Sequence, residues 1–226
     1  MNTSRSTTER SVGQELLRAV AVSLLGLPAA ATDPLRALAW LALVAPAAGA
    51  LAARAGVASL RLVCAISGLW LILLVSVDAR STANLPHPAW AALVVFGLVL
   101  IGWACGRCRS GPVWRAGGVA LAASAVLAAL PGLAGWARAP WPPALAARLL
   151  DASPVVLAEE CAGVDWMRHA AVYAAAGTHS IGPELRSPYR GQLAGPATLV
   201  VGCALAWLAR RVRARQPPDR EERPWH

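Results

Sequence analysis

The chain contains no lysine: all twenty-one of its basic residues are arginine. It has one phenylalanine, two tyrosines and four histidines, and only 15% of its 226 residues are charged, against roughly 25% in an ordinary soluble domain. Each shortage excludes something. Sparse charge beside 57% apolar residues excludes intrinsic disorder, which needs a polar, charged composition, as well as a coiled coil and a typical soluble enzyme. Five cysteines are too few for a disulfide-stapled secreted fold. Four histidines in no diagnostic spacing give haem or a metal nothing to bind, and no cofactor is expected. Phosphate-cradling glycine loops, G-x-S-x-G and H-E-x-x-H are all absent, so an ATPase or ordinary hydrolase has no footing. A chain without Lys but rich in Ala, Gly and Arg points to a GC-rich bacterial genome.

What the sequence has instead is long apolar runs. A bilayer core of about 30 Å needs roughly 20 such residues per helix. Segments at about 35–53, 56–77, 88–105, 116–136 and 193–209 meet that length or nearly so. A weaker run at about 16–31 contains Arg18 and Pro28. It reads as a further span, or as a cleaved secretory signal ending at Ala29-Ala30-Ala31. The expected fold is all-α, a polytopic transmembrane helical bundle of six or seven spans in the bacterial cytoplasmic membrane. A short N-terminal tail, 1–15, precedes the bundle of 16–136. An extracytoplasmic stretch, 137–192, separates it from the last span, and a basic tail, 210–226, follows.

A formal charge of +9 raises the question of nucleic acid, which calls for a basic stripe on a polar folded surface. Here the arginines punctuate apolar runs, so no nucleic-acid partner is expected and the lipid bilayer is the first partner. Arg210, Arg211, Arg213 and Arg215 follow the last span directly and mark that end as cytoplasmic. Threading back, Arg107, Arg109 and Arg115 fall inside, as do Arg54 and Arg61. Six spans place fourteen arginines inside and seven outside. Tryptophans 40, 90, 103, 114, 136 and 207 stand near span ends, where indoles favour the headgroup layer, whereas Trp70 is mid-span and reads as packing.

Spans in lipid associate through close backbone approach between small residues. Gly118, Ala122, Ala125, Ala129 and Gly132 form one stripe at helical spacing, and Thr198, Gly202 and Ala206 a shorter one. Pro46 and Pro131 fall inside spans and are expected to kink them.

The stretch 137–192 holds the densest chemistry. With Ser153 as cap and Pro154 in the first position, a helix is expected to about Ala176. It would carry Cys161, Asp165, Arg168 and His169 on one side, where a cation near Cys161 favours its thiolate. Cys105-Gly106-Arg107-Cys108 is a C-x-x-C, which reads as a redox pair or half of a zinc site lacking its other ligands.

Glu160-Cys161-Ala162-Gly163-Val164-Asp165-Trp166-Met167 resembles the Glu-Cys-Ser-Gly-Ile-Glu-Gly-Met signature of the exosortase and archaeosortase membrane transpeptidases. Four of the eight positions are identical and three conservative, with Trp166 departing. The resemblance covers about 160–213. It implies a cysteine transpeptidase that processes C-terminal sorting segments of exported proteins, with Cys161 as nucleophile and Arg213 stabilising the oxyanion. Arg210 stands where that family has Asn, and the family's catalytic His lies on a further span, so a truncated or degenerate member is implied. The resemblance also implies a seventh span at about 161–182, against the six that the arginines favour. The alternative function is a non-catalytic accessory, scaffold or permease-like subunit bound to a membrane-protein partner, or a small-solute transporter.

Overall fold

Inside a bilayer every backbone group must find its hydrogen bond within the protein, and a helix does so within one segment. A computed structural model describes residues 21–53, 59–80, 85–108, 113–136, 152–163 and 191–215, and every regular element among them is helical. A 3-10 turn at Leu24–Gly26 leads into the short helix α1, Leu27–Ala30. Six further helices follow: α2 (Pro34–Ala52), α3 (Ser59–Arg80), α4 (Pro88–Cys108), α5 (Val113–Trp136), α6 (Pro154–Cys161) and α7 (Gly191–Arg215).

Among the described residues four helices are long and apolar enough to cross a membrane: Pro34–Ala52, Leu60–Arg80, Pro88–Cys108 and Leu193–Arg213. The chain is therefore an all-helical membrane protein. Its four spans coincide with four of the expected ones to within a few residues. The helix α5 is 24 residues long and continues through Pro131, with its apolar part at Trp114–Leu130. The apolar stretch Ala21–Ala30 rises only about 15 Å, half of a bilayer core. The last helix runs on through Arg210 to Arg215, where a tail beginning after residue 209 was expected.

Close backbone contacts fix the helix directions. A Cβ on Gly49 would strike the Val99 carbonyl, one on Gly102 the Pro46 carbonyl, and one on Gly106 would come within 2.7 Å of the Ala50 oxygen. The Arg107 guanidinium near the end of α4 reaches the Ala53 carbonyl just past the end of α2 (3.4 Å), so α2 and α4 are parallel and touch backbone to backbone. Likewise Gly195 faces the Trp90 oxygen (2.9 Å), Gly97 the Thr198 oxygen (2.7 Å) and Gly202 the Gly97 oxygen (2.7 Å), making α4 and α7 parallel. The helices α3 and α5 run the other way. Near the end of α3 the Asp78 carboxylate accepts from the Leu85 N–H just before α4 (2.7 Å). In the first turn of α5, Gly117 abuts Leu51 near the end of α2.

This arrangement divides charge unevenly between the two ends, with Arg36 and Arg80 beside the acids. The starts of α3 and α5 and the ends of α2, α4 and α7 share one end, with Arg61, Arg107, Arg115, Arg210, Arg211 and Arg213. All four described acids, Asp33, Asp78, Glu159 and Glu160, belong to the other end.

The stripe expected on α5 faces outward. Gly118, Ala122, Ala125 and Ala129 are exposed, and Gly118 has open space around its Cα. The packed side is offset by one residue: Ala116, Gly117 and Ser124 are buried. In a helix this rich in Ala every side is small, so spacing alone cannot choose the seam. The stripe on α7 does pack as expected, with Gly202 and Ala206 buried against α4.

Two indoles have a task that composition did not show. In the 3-10 turn the Leu27 N–H bonds Leu24 rather than Ser23. The Trp70 indole, at 1% exposure, donates instead to the Ser23 carbonyl (3.3 Å). It reaches there because Gly26 has no Cβ to block the ring. The Trp40 indole donates to the Leu25 carbonyl (2.6 Å), so it supports the broken segment rather than simply marking a headgroup layer.

Candidate functional site

The short helix α6 caps the acidic end. Its start is as expected: the Ser153 hydroxyl accepts from the Val156 N–H, and Pro154 opens the helix. Its end is not. The helix stops at Cys161, and Gly163 follows with φ of 79°, a left-handed conformation that favours glycine. The segment leading into α4 holds this turn, since the His87 N–H donates to the Ala162 carbonyl (2.8 Å). A Cβ on Gly163 would meet the His87 ring at 2.9 Å. Regular helix therefore breaks between Cys161 and Asp165, and the expected continuous face through Arg168 and His169 is interrupted. Asp165, Arg168, His169 and the rest of 164–190 lie outside the described residues.

Cys161 is 1% exposed and sits among helix beginnings. Packing of α6 reaches α2, α4 and α7, and the Gly195 backbone hydrogen-bonds the thiol. Burial first, and then the neighbouring Glu160 charge, push the Cys161 thiol up to about 11, with the Gly195 backbone opposing. Thiolate is then about one part in ten thousand at neutral pH, the reverse of an activated nucleophile. Glu159 is 9% exposed, and burial, helped by Glu160, raises its carboxyl to about 7. Sequence reasoning passed over Glu159. Its signal was position: it falls three residues after Val156, on the apolar side of a helix whose next acid, Glu160, is less buried.

The structure does not bring Cys161 and Arg213 together. The Cys161 sulfur meets Gly195, in the second turn of α7. Arg213 is exposed eighteen residues further along the same helix, about 27 Å away along its axis. The seventh span implied at 161–182 falls almost wholly on residues outside the described ones, while Gly163 lies against His87 and Pro86 and Gly195 against Trp90.

Cys105 and Cys108 stand one turn apart in the last turns of α4. Both are free and exposed, at the basic end. Among the described residues no group of three or more His, Cys, Asp or Glu could hold a metal ion. No family model, curated protein or solved structure matches the chain.

One measurement follows from these thiols. With the folded protein in detergent at neutral pH, N-ethylmaleimide is expected to modify Cys105 and Cys108 at least about 100-fold faster than Cys161, whose thiolate fraction is suppressed by burial. Peptide mass spectrometry over a time course reads the rates. Equal labelling of Cys161 in the folded protein would contradict its burial.

Proposed function

We propose that the chain is a non-catalytic subunit of a bacterial membrane complex, with its basic end in the cytoplasm and α6 on the outer side. The observation that carries this reading is the outward face of α5. Gly118, Ala122, Ala125 and Ala129 are exposed, and Gly118 has nothing within 4 Å of an added Cβ. A second helix can approach such a face to backbone distance, which is how helices associate in lipid. The described acids all lie at one end and the thiol there is held protonated, so the chemistry of the bundle supports scaffolding better than turnover. Placing the arginine end inside follows the positive-inside rule.

The test is Gly118→Leu combined with Ala122→Leu. The folded chain is expected to change by less than about 0.5 kcal/mol, because no neighbour must move. Stoichiometric co-purification of a membrane partner from the native host is expected to be lost. Solubilised wild-type protein that carries no partner, or a partner unaffected by the double variant, would overturn the reading.

A second reading, a cysteine transpeptidase acting on sorting segments of exported proteins, draws on one observation. Cys161 lies opposite the arginine end and has a backbone hydrogen bond to its sulfur. That reading predicts unprocessed C-termini on exported proteins when Cys161→Ser replaces the wild type. Unchanged processing would remove it.

A further inference from the structure

Arginine and tryptophan are paired at only one end among the described residues. The Arg107 guanidinium lies 5.4 Å from the Trp103 ring centre, Arg115 lies 5.2 Å from Trp114, and Arg211 lies 3.9 Å from Trp207. The three pairs belong to α4, α5 and α7, and all stand at the basic end. Towards the other end, Trp40 and Trp70 donate to backbone carbonyls, and Arg36 is paired with Asp33 at 3.3 Å.

We propose that the basic end binds anionic glycerophospholipid through these three arginine–tryptophan pairs. A guanidinium beside an indole keeps donors that can meet two oxygens of a phosphodiester at once. The four described acids belong to the other end. Trp103 is 1% exposed and holds Arg107 from within, so the other two rings select a lipid over a soluble phosphate. Trp114 and Trp207 remain 68% and 52% exposed, and a free anion would leave them so. A glycerophospholipid lays its glycerol and upper acyl carbons against them, at the level where indoles settle in bilayers. Arg107 has a further role, since its guanidinium donates to the Ala53 carbonyl at the end of α2 (3.4 Å). Lipid held there would brace the α2–α4 seam.

The full chain, equilibrated in micelles with equal parts phosphatidylglycerol and phosphatidylcholine, is expected to retain phosphatidylglycerol preferentially, read as bound lipid by mass spectrometry. At about fivefold per arginine near a charged surface, Arg107→Gln, Arg115→Gln and Arg211→Gln together should cut the preference about a hundredfold. Arg36→Gln with Arg80→Gln, at the other end, should leave it unchanged. Should the triple variant fail to fold, Arg211→Gln alone, on an exposed helix face, should still lose about fivefold. Equal retention of both lipids by wild type, retention unchanged in the variants, or an equal loss in the Arg36/Arg80 control would overturn the proposal. So would displacement of the lipid by inorganic phosphate at matched concentration.

Discussion

Valine in place of Gly102 is expected to destabilise the bundle by about 3 kcal/mol, at the upper end of overpacking costs, whereas valine at Gly118 changes stability by less than about 0.5 kcal/mol. Both positions are glycines in helices of similar composition, and only their neighbours differ. A Cβ at Gly102 would collide with the carbonyl of Pro46 and come within 2.6 Å of its Cα. These are backbone atoms, so no side-chain rotation relieves the clash and α2 must move away from α4. Movement there also disturbs Gly49 against Val99 and Gly106 against Ala50, which lie on the same seam. At Gly118 the space is open. Thermal or denaturant unfolding of the purified protein in detergent measures both. A Gly102→Val protein as stable as wild type would mean that α2 and α4 do not meet backbone to backbone. The contrast also separates folding from assembly, because a defect at Gly118 that appears only when a partner is present belongs to the α5 surface.

The same pair shows how much could be read beforehand. The positions of four spans were legible, since roughly 20 apolar residues between charges leave few alternatives. The division of charge was legible too: arginines after the runs at 88–105 and 193–209 do share one end with those before the run at 116–136. Which side of each helix packs was not. Among Ala, Gly and Ser one face is nearly as small as another, so the seam on α5 is set by the shape of α2 around Leu51 rather than by its own pattern. On α7 the pattern sufficed because Gly202 and Thr198 meet a glycine, Gly97, in α4.

Around Cys161 the helix expected from Pro154 to about Ala176 is interrupted after Cys161. Pro154 and Ser153 announced the start. The stop has a local signal in Gly163, but the contacts with His87 and Pro86 that hold it come from residues more than seventy positions earlier. Arg213 looked like a partner for Cys161 by spacing from a family signature. Along a straight helix α7 that same spacing carries it to the far end of the bundle.

Glu159→Gln is expected to make the protein more stable above neutral pH, by about 3 kcal/mol at pH 8, and to leave it nearly unchanged at pH 4. The Glu159 carboxyl titrates near 7 in the folded protein against an ordinary 4.5, because burial, followed by the Glu160 charge, disfavours its ionised form. The folded state thus holds the proton more tightly than the unfolded state does. The contribution of Glu159 to wild-type stability is most favourable below pH 4.5, falls as pH rises from there through about 7, and is level above. Glutamine keeps the shape and cannot ionise, so this slope disappears from the variant. The remaining ionisable groups are common to both proteins, so the pH dependence of the difference reports on Glu159 and the neighbour coupled to it, Glu160. Unfolding midpoints at matched pH values in one detergent give that difference directly. A gap between variant and wild type that stayed constant from pH 4 to pH 8 would show that Glu159 is not the buried acid of this end.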